Sequence, residues 1–359
     1  MPTPKGAANS KPPKTWSSNV RNTSFAFGSV STTENLLPIF NRGKAIILLV
    51  FGILFLSGCA YTKFDLQGHR GARGLAPENT MPAFDRALDL GVNTLELDVG
   101  VTKDGLVVIH HDRTLNPEIT RDVNGAFLTA RGPSIASLTF AELSRYDVGR
   151  IKPDTAYAKT FGEQTGADGV RVPTLAALFD RVKARGANAV RFNIETKLSP
   201  LVPEETLAPE PFVSALIAEV RKAGLESRVT IQSFDWRTLR IAQAKVPEIA
   251  TVYLSNQQGA NETVQLGKPG ASPWLAGYDI DDFGGSLPKL VKAAGGKVWS
   301  PNFRDLTEAS VREAQALGLK VIPWTVNERG DLDRLLDWRV DGIITDYPNR
   351  LVDAMKARK

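Results

Sequence analysis

The chain has 359 residues and a formal charge of +5. That excess lies in residues 1–58, where Lys5, Lys11, Lys14, Arg21, Arg42 and Lys44 face only Glu34, so residues 59–359 are neutral and carry no electrostatic footprint for nucleic acid. Cys59 is the only cysteine, which excludes a disulfide within the chain.

Residues 1–43 are polar, rich in Ser, Thr, Asn and Pro, and lack hydrophobic periodicity; they are expected to be disordered. Lys44 opens an apolar run over 45–56 that ends in Leu56-Ser57-Gly58-Cys59. A basic residue, a short apolar segment and a small-residue site describe a secretory signal, and the run is too short to span a bilayer comfortably. Leu56-Ser57-Gly58-Cys59 resembles a bacterial lipobox, in which the cysteine becomes the lipid-bearing first residue. That implies a membrane-anchored lipoprotein of the bacterial envelope. The stretch before the signal is long for this type. A start at Leu36 or Leu37 would give an ordinary signal, with Arg42 and Lys44 as its basic region.

From Cys59 onward about 300 residues remain, long for one domain but ordinary for a β/α barrel. Strand patterns are expected over 64–68, 94–101, 190–196, 229–234, 250–254, 298–301, 321–326 and 342–346. Helical patterns fit between most of them. Ala83, Phe84, Ala87 and Leu88 make one apolar face, and Val311, Ala314, Gln315 and Leu317 belong to another helix, closed by Gly318. This alternation predicts an α/β protein of the (β/α)8, or TIM-barrel, class over a doubly wound sheet. Residues 113–172 and 256–273 lack periodicity, and loops this long are usually functional caps or disordered. Residues 138–143 read as a short helix inside the first.

All three histidines, His69, His110 and His111, lie in one acid- and arginine-bearing stretch. Leu95-Glu96-Leu97-Asp98-Val99 alternates with period two, so Glu96 and Asp98 share one face of a strand. Adjacent carboxylates repel and are tolerated if exposed or if a cation sits between them. Asp104-Gly105 signals a hairpin turn, which is expected to bring His111 back opposite Asp98. A solvated edge hairpin with an incidental histidine is the competing reading. Over 191–197 a second strand puts Arg191, Asn193, Glu195 and Lys197 on one face. Glu195 and Lys197 read either as an internal ion pair or as part of a site shared with Glu96 and Asp98.

His69-Arg70-Gly71, Pro77-Glu78-Asn79-Thr80, Ala83-Phe84, Glu96-Leu97-Asp98-Val99, Thr102-Lys103-Asp104-Gly105 and His111-Asp112 follow in this order and spacing. Together they resemble the glycerophosphodiester phosphodiesterase family, and the resemblance extends over nearly all of 64–348. It implies metal-dependent hydrolysis of glycerophosphodiesters to glycerol 3-phosphate and an alcohol, with no nucleic acid as partner. His69 and His111 are implied as acid and base. Glu96, Asp98 and Glu195 are implied as ligands of one divalent cation, and hard oxygen donors select Ca²⁺ or Mg²⁺. Arg70 and Lys197 are implied as phosphate-binding groups. Attack by the substrate's own neighbouring hydroxyl, through a cyclic phosphate, is implied as the mechanism. His110 has the opposite parity to His111 and is expected to be structural. Gln232, Phe234, Trp324 and residues 341–348 also match. Trp324 reads as a wall of the glycerol pocket or as an ordinary core residue. Glu78 and Asn79 read as holding Arg70 or capping the next helix. The insertion over 113–172 matches one in the family and is expected to cover the mouth.

Two other functions fit part of this pattern. One is a related barrel phospholipase acting on lysophospholipid or sphingomyelin, although the polar insertion argues against the wide apolar mouth that an acyl tail needs. The other is a surface lipoprotein without activity, which would have no need of both histidines.

Overall fold

The computed structural model describes residues 64–358. The leader, the signal segment and Cys59 lie outside the described residues. Strands β1 (Asp65–Gly68), β2 (Thr94–Val101), β3 (Val107–Ile109), β4 (Arg191–Thr196), β5 (Val229–Ser233), β6 (Ala250–Ser255), β7 (Val298–Pro301), β8 (Lys320–Val321) and β9 (Gly342–Thr345) belong to one sheet. Its order is β8-β7-β6-β5-β4-β2-β1-β9, all parallel, with β3 antiparallel on β2. The two ends of this order meet. Asp341 N–H donates to the Val321 carbonyl at 2.9 Å, Ile344 N–H to the Pro323 carbonyl at 3.0 Å, and Val326 N–H to the Ile344 carbonyl at 3.0 Å. The eight parallel strands therefore close into the expected barrel. The strand expected over 321–326 is regular only at 320–321, because Pro323 has no N–H to give to the ladder.

Among the described residues ten helices fill the connections or follow the last strand: α1 (Met81–Asp89), α2 (Phe140–Leu143), α3 (Ala156–Thr160), α4 (Leu175–Ala184), α5 (Pro209–Ala223), α6 (Trp236–Lys245), α7 (Leu287–Ala293), α8 (Glu308–Ala316), α9 (Arg329–Asp337) and α10 (Pro348–Lys356). Among the described residues none is long and apolar enough to cross a membrane. The main core lies between strands and helices, where Leu95, Leu97 and Val99 of β2 pack in one buried cluster with Phe84 and Ala87 of α1. Strand parity then turns Glu96 and Asp98 into the barrel, where they are buried.

The insertion has a core of its own. Leu115, Ile135, Leu143, Val148 and Val172 cluster on Val108 of β3. Its short helix α2 is closed by a capping box between Thr139 and Glu142. None of its residues lines the site cavity. It leans on the loop after β1: the Tyr157 hydroxyl of α3 donates to Glu78, the Gln164 amide to the Arg73 carbonyl at 2.7 Å, and Thr165 N–H to the Leu75 carbonyl at 3.0 Å.

That loop turns on Gly71, whose φ is +85°, with a Cβ there lying 2.6 Å from the backbone of Ala83. Gly105, in the β2–β3 turn, has a similar φ of +83° but open space around it. Gly105→Ala should therefore lose only the ~1–2 kcal/mol of a left-handed alanine. Gly71→Ala adds a backbone clash and should lose at least ~1 kcal/mol more. Urea unfolding of both variants measures the difference.

Candidate active site

Strands β1, β2, β4 and β9 deliver the polar side chains to one end of the barrel. Asp98 pairs with Glu195 in the β2–β4 register, so carboxylates on neighbouring strands face the same way. One carboxylate oxygen from each of Glu96, Asp98 and Glu195 lies within 4.8 Å of the others, and all three residues are buried. Burial and the Asp98 charge push Glu96 well above the usual carboxylate range. Burial pushes Glu195 up to about 7 against the pull of Lys197. Burial also works against ionised Asp98, but the nearby His111, Lys197 and Arg70 outweigh it and hold Asp98 low. Three anions this close need a shared proton or a cation between them.

The fixed cations do not fully compensate. Lys197 Nζ lies 2.7 Å from Glu195 and 3.7 Å from Asp98. Arg70 spends Nη1 on Glu78 at 2.6 Å, while its buried Nε lies 3.4 Å from Asp98 without a hydrogen bond. With Asp346, which Arg73 holds, five carboxylates (Glu78, Glu96, Asp98, Glu195 and Asp346) meet three fixed cations (Arg70, Arg73 and Lys197), so full ionisation leaves two negative charges. Buried hard oxygen ligands with that deficit fit a divalent cation.

The two site histidines are each braced by a carboxylate. His69 Nδ1 lies 2.6 Å from Asp346 Oδ1, and His111 Nδ1 lies 2.7 Å from Asp112 Oδ1. Asp346 also takes Arg73 Nε at 2.8 Å and Asn327 Nδ2 at 2.7 Å. Asn116 holds Asp112 at 2.8 Å. Burial, with Arg73 nearby, lowers His69 to about 4. Burial, with Arg70 and Lys197 nearby, lowers His111 to about 3. Both rings are therefore neutral near pH 7, and the bond at Nδ1 leaves Nε2 as the free nitrogen.

The hairpin register differs from expectation by one residue. Val99 faces Ile109, so the residue opposite Asp98 is His110, whose N–H donates to the Asp98 carbonyl at 3.0 Å. The ring of His110 bonds the Asp112 carbonyl at 2.7 Å and does not line the cavity. His111 does line it, because β3 ends at Ile109 and the chain bends before Asp112. Glu78 holds Arg70, and Asn79 donates to Asp98 at 2.8 Å; neither caps α1, whose N-cap is Thr80.

These groups surround one cavity. His69, Arg70, Glu96, His111, Glu195 and Lys197 form its polar side. Phe234, Leu254, Trp324 and Ile344 form its apolar side, with Phe234 and Trp324 edge-to-face at 5.3 Å. Sequence reasoning gave no role to Asp346, Arg73, Asp112, Asn327 or Tyr157. An acid at the end of the last apolar strand was the one available signal, for Asp346, because strand ends meet at a barrel mouth. Asp112 adjoins His111, whereas Arg73, Asn327 and Tyr157 act through contacts distant in sequence.

The family model for glycerophosphoryl diester phosphodiesterases matches residues 69–350. This chain belongs to that family. A glycerophosphodiester phosphodiesterase of Caldanaerobacter subterraneus subsp. tengcongensis is 30% identical over 292 residues, covering 80% of this chain and 96% of the relative. A solved structure from Silicibacter pomeroyi, assigned to the glycerophosphoryl diester phosphodiesterases, is 37% identical with a TM-score of 0.73, covering 82% of this chain and 94% of that one. A phosphodiesterase of Oleispira antarctica, solved with its product sn-glycerol-3-phosphate, has the same fold at 22% identity and a TM-score of 0.59, covering 81% and 96%.

His69→Ala and His111→Ala should each lose at least ~10²-fold in turnover, the scale of a positioned acid or base. His110→Ala should lose far less. Steady-state rates on glycerophosphocholine, with circular dichroism to confirm folding, separate the three.

Proposed function

We propose that this enzyme hydrolyses glycerophosphodiesters, such as glycerophosphocholine and glycerophosphoethanolamine, to glycerol 3-phosphate and an alcohol. One observation carries the reading: two carboxylate-braced imidazoles share a cavity with three clustered carboxylates and two cations. No serine or cysteine is among the described residues that line it. The product bound in the Oleispira antarctica phosphodiesterase, sn-glycerol-3-phosphate, supports the same product here.

The attacking group is then the glycerol hydroxyl next to the ester, which is already tethered beside phosphorus and gains a large effective molarity. Nε2 of one imidazole takes the hydroxyl proton as the new O–P bond forms. The P–O bond to the alcohol breaks, and the other imidazole, protonated, gives its proton to the leaving oxygen. The negative phosphate raises the proton affinity of the ring beside it, which burial otherwise holds down. Water opens the resulting cyclic phosphate with the two roles exchanged. Asp346 and Asp112 keep each Nδ1–H engaged throughout. Arg70 and Lys197 bind phosphate oxygens, and Trp324 with Phe234 forms the apolar wall for the glycerol carbons. Glu96, Asp98 and Glu195 would hold one Ca²⁺ or Mg²⁺, which when bound supplies Lewis-acid stabilisation of the phosphate charge.

The reading extends to the N-terminus. Leu56-Ser57-Gly58-Cys59 supports a lipid anchor on Cys59 in the bacterial envelope, with the enzyme in the periplasm. Strand β1 begins six residues later, at the barrel end opposite the mouth. Six residues reach at most about 20 Å. An anchor this close to β1 would hold the enzyme at the membrane surface.

A deoxy analogue lacking the hydroxyl next to the ester should bind yet barely turn over at saturation; a rate matching the parent diester would end the substrate-assisted mechanism. A lysolipid assayed in parallel should be the poorer substrate. Exhaustive chelation should abolish activity, and Glu195→Gln should weaken cation binding with the fold intact; full turnover with no metal by elemental analysis would remove the cation. Labelled fatty acid should enter the wild-type protein and not Cys59→Ser, and equal labelling would remove the anchor.

A further inference from the structure

Barrel interiors are ordinarily packed with layers of branched apolar side chains. Here one part of the interior is apolar, with Val252, Val298, Ile322 and Ile344. Beneath Glu96 it is a chain of amides. Gln232 Nε2 donates to Glu96 Oε1 at 2.5 Å. Asn193 Nδ2 donates to Gln232 Oε1 at 2.9 Å and to Gln67 Oε1 at 3.0 Å. Gln67 Nε2 donates to Asp65 Oδ2 at 3.0 Å, at the far end of the barrel. The Thr230 hydroxyl donates to Asn193 Oδ1 at 2.7 Å. Asn193 and Gln232 are fully buried.

Only one set of amide orientations satisfies this chain. With the ion bound Glu96 is ionised, and an ionised carboxylate accepts and cannot donate, so each glutamine must turn its NH2 toward its acid and its carbonyl toward the middle. The NH2 of Asn193 has two hydrogens, one for each carbonyl, and Thr230 keeps the Asn193 carbonyl on the other side. A reversed Gln232 would set its carbonyl against Glu96 Oε1, two acceptors with no proton between them, at a buried position where that is costly. The other oxygen of Glu96 takes the Arg70 N–H at 2.9 Å. Each Glu96 oxygen is thus held by one donor, which fixes the plane of the carboxylate.

We propose that Asn193 is a positioning residue for the cation site: acting through Gln232, it sets the carboxylate of Glu96 in the orientation that binds the ion. The inference rests on the cation reading given above. Asn193 touches neither ion nor substrate. Outer partners of this kind typically change metal affinity ~10–100-fold.

The test is calorimetric titration of Ca²⁺ and of Mg²⁺ into the chelator-treated protein, with urea unfolding alongside. Asn193→Leu and Gln232→Met should each weaken binding at least ~10-fold. The double variant should bind no more weakly than Gln232→Met alone, because Asn193 acts only through Gln232. Gln67→Met removes the lower half of the chain and should lower the unfolding midpoint while leaving affinity within about threefold, well short of that second-shell scale. Should Asn193→Leu fail to fold, Thr230→Val releases the Asn193 carbonyl and should weaken binding in the same direction. Unchanged affinity in the folded Asn193 or Thr230 variant, or additive losses in the double variant, would overturn the proposal and leave the cation reading standing. A wild-type protein that binds neither ion would overturn both.

Discussion

The structure turns on the burial of Glu96, Asp98 and Glu195 together at one end of a closed barrel. Each carboxylate loses water, and each repels the other two, so the cluster persists only because each acid has at least one donor and countercharge stands nearby. Arg70 N–H and Gln232 hold Glu96, Asn79 holds Asp98, and Lys197 lies against Glu195. Arg70 cannot satisfy the cluster because Glu78 claims it first. The charge left over lets the cluster hold a metal ion, where a self-contained salt-bridge network would not.

Closing the barrel and preparing the chemistry are the same event at Asp346. It follows β9, the strand that seals the sheet against β1, and it grips His69 from the end of β1. The residues that unite here are 277 positions apart in sequence. Arg73 and Asn327 fix Asp346 from both sides, so the His69 ring is oriented by three elements at once. His111 has a shorter brace, its sequence neighbour Asp112, and is more exposed. The insertion supports this arrangement: it grips the loop that carries Arg70, Arg73 and Glu78.

Period-two alternation made β2 and β4 legible because a strand with one face in the barrel and one against helices must alternate, and that alternation placed Glu96 with Asp98 and Glu195 with Lys197. The β2–β3 turn was legible from Asp104-Gly105, but its register was not. Turn residues mark where a hairpin bends without counting the ladder bonds on each side, so His110 rather than His111 came to stand opposite Asp98. Side-chain parity survived that slip because the strand stops at Ile109. The strand over 321–326 was overextended, since apolar alternation does not register the donor missing at Pro323. The insertion could not be placed at all, because residues 113–172 lack a period, and their core forms on Val108 of another segment.

The amino-acid sequence by itself determined the barrel class, the eight parallel strands, the family and the set of chemical groups at the mouth, because these depend on local periodicity and on motifs whose members lie close together along the chain. Only the tertiary structure decided which partner each group takes. That Glu78 binds Arg70 rather than capping α1, that Asp346 braces His69, that Trp324 packs on Phe234 in the cavity wall, and that Asn193 reaches Glu96 through Gln232 are all outcomes of the tertiary fold. A hydrogen bond is decided by distance and direction in space, and residues from β1, β2, β4, β5 and β9 have none until the last strand pairs with the first.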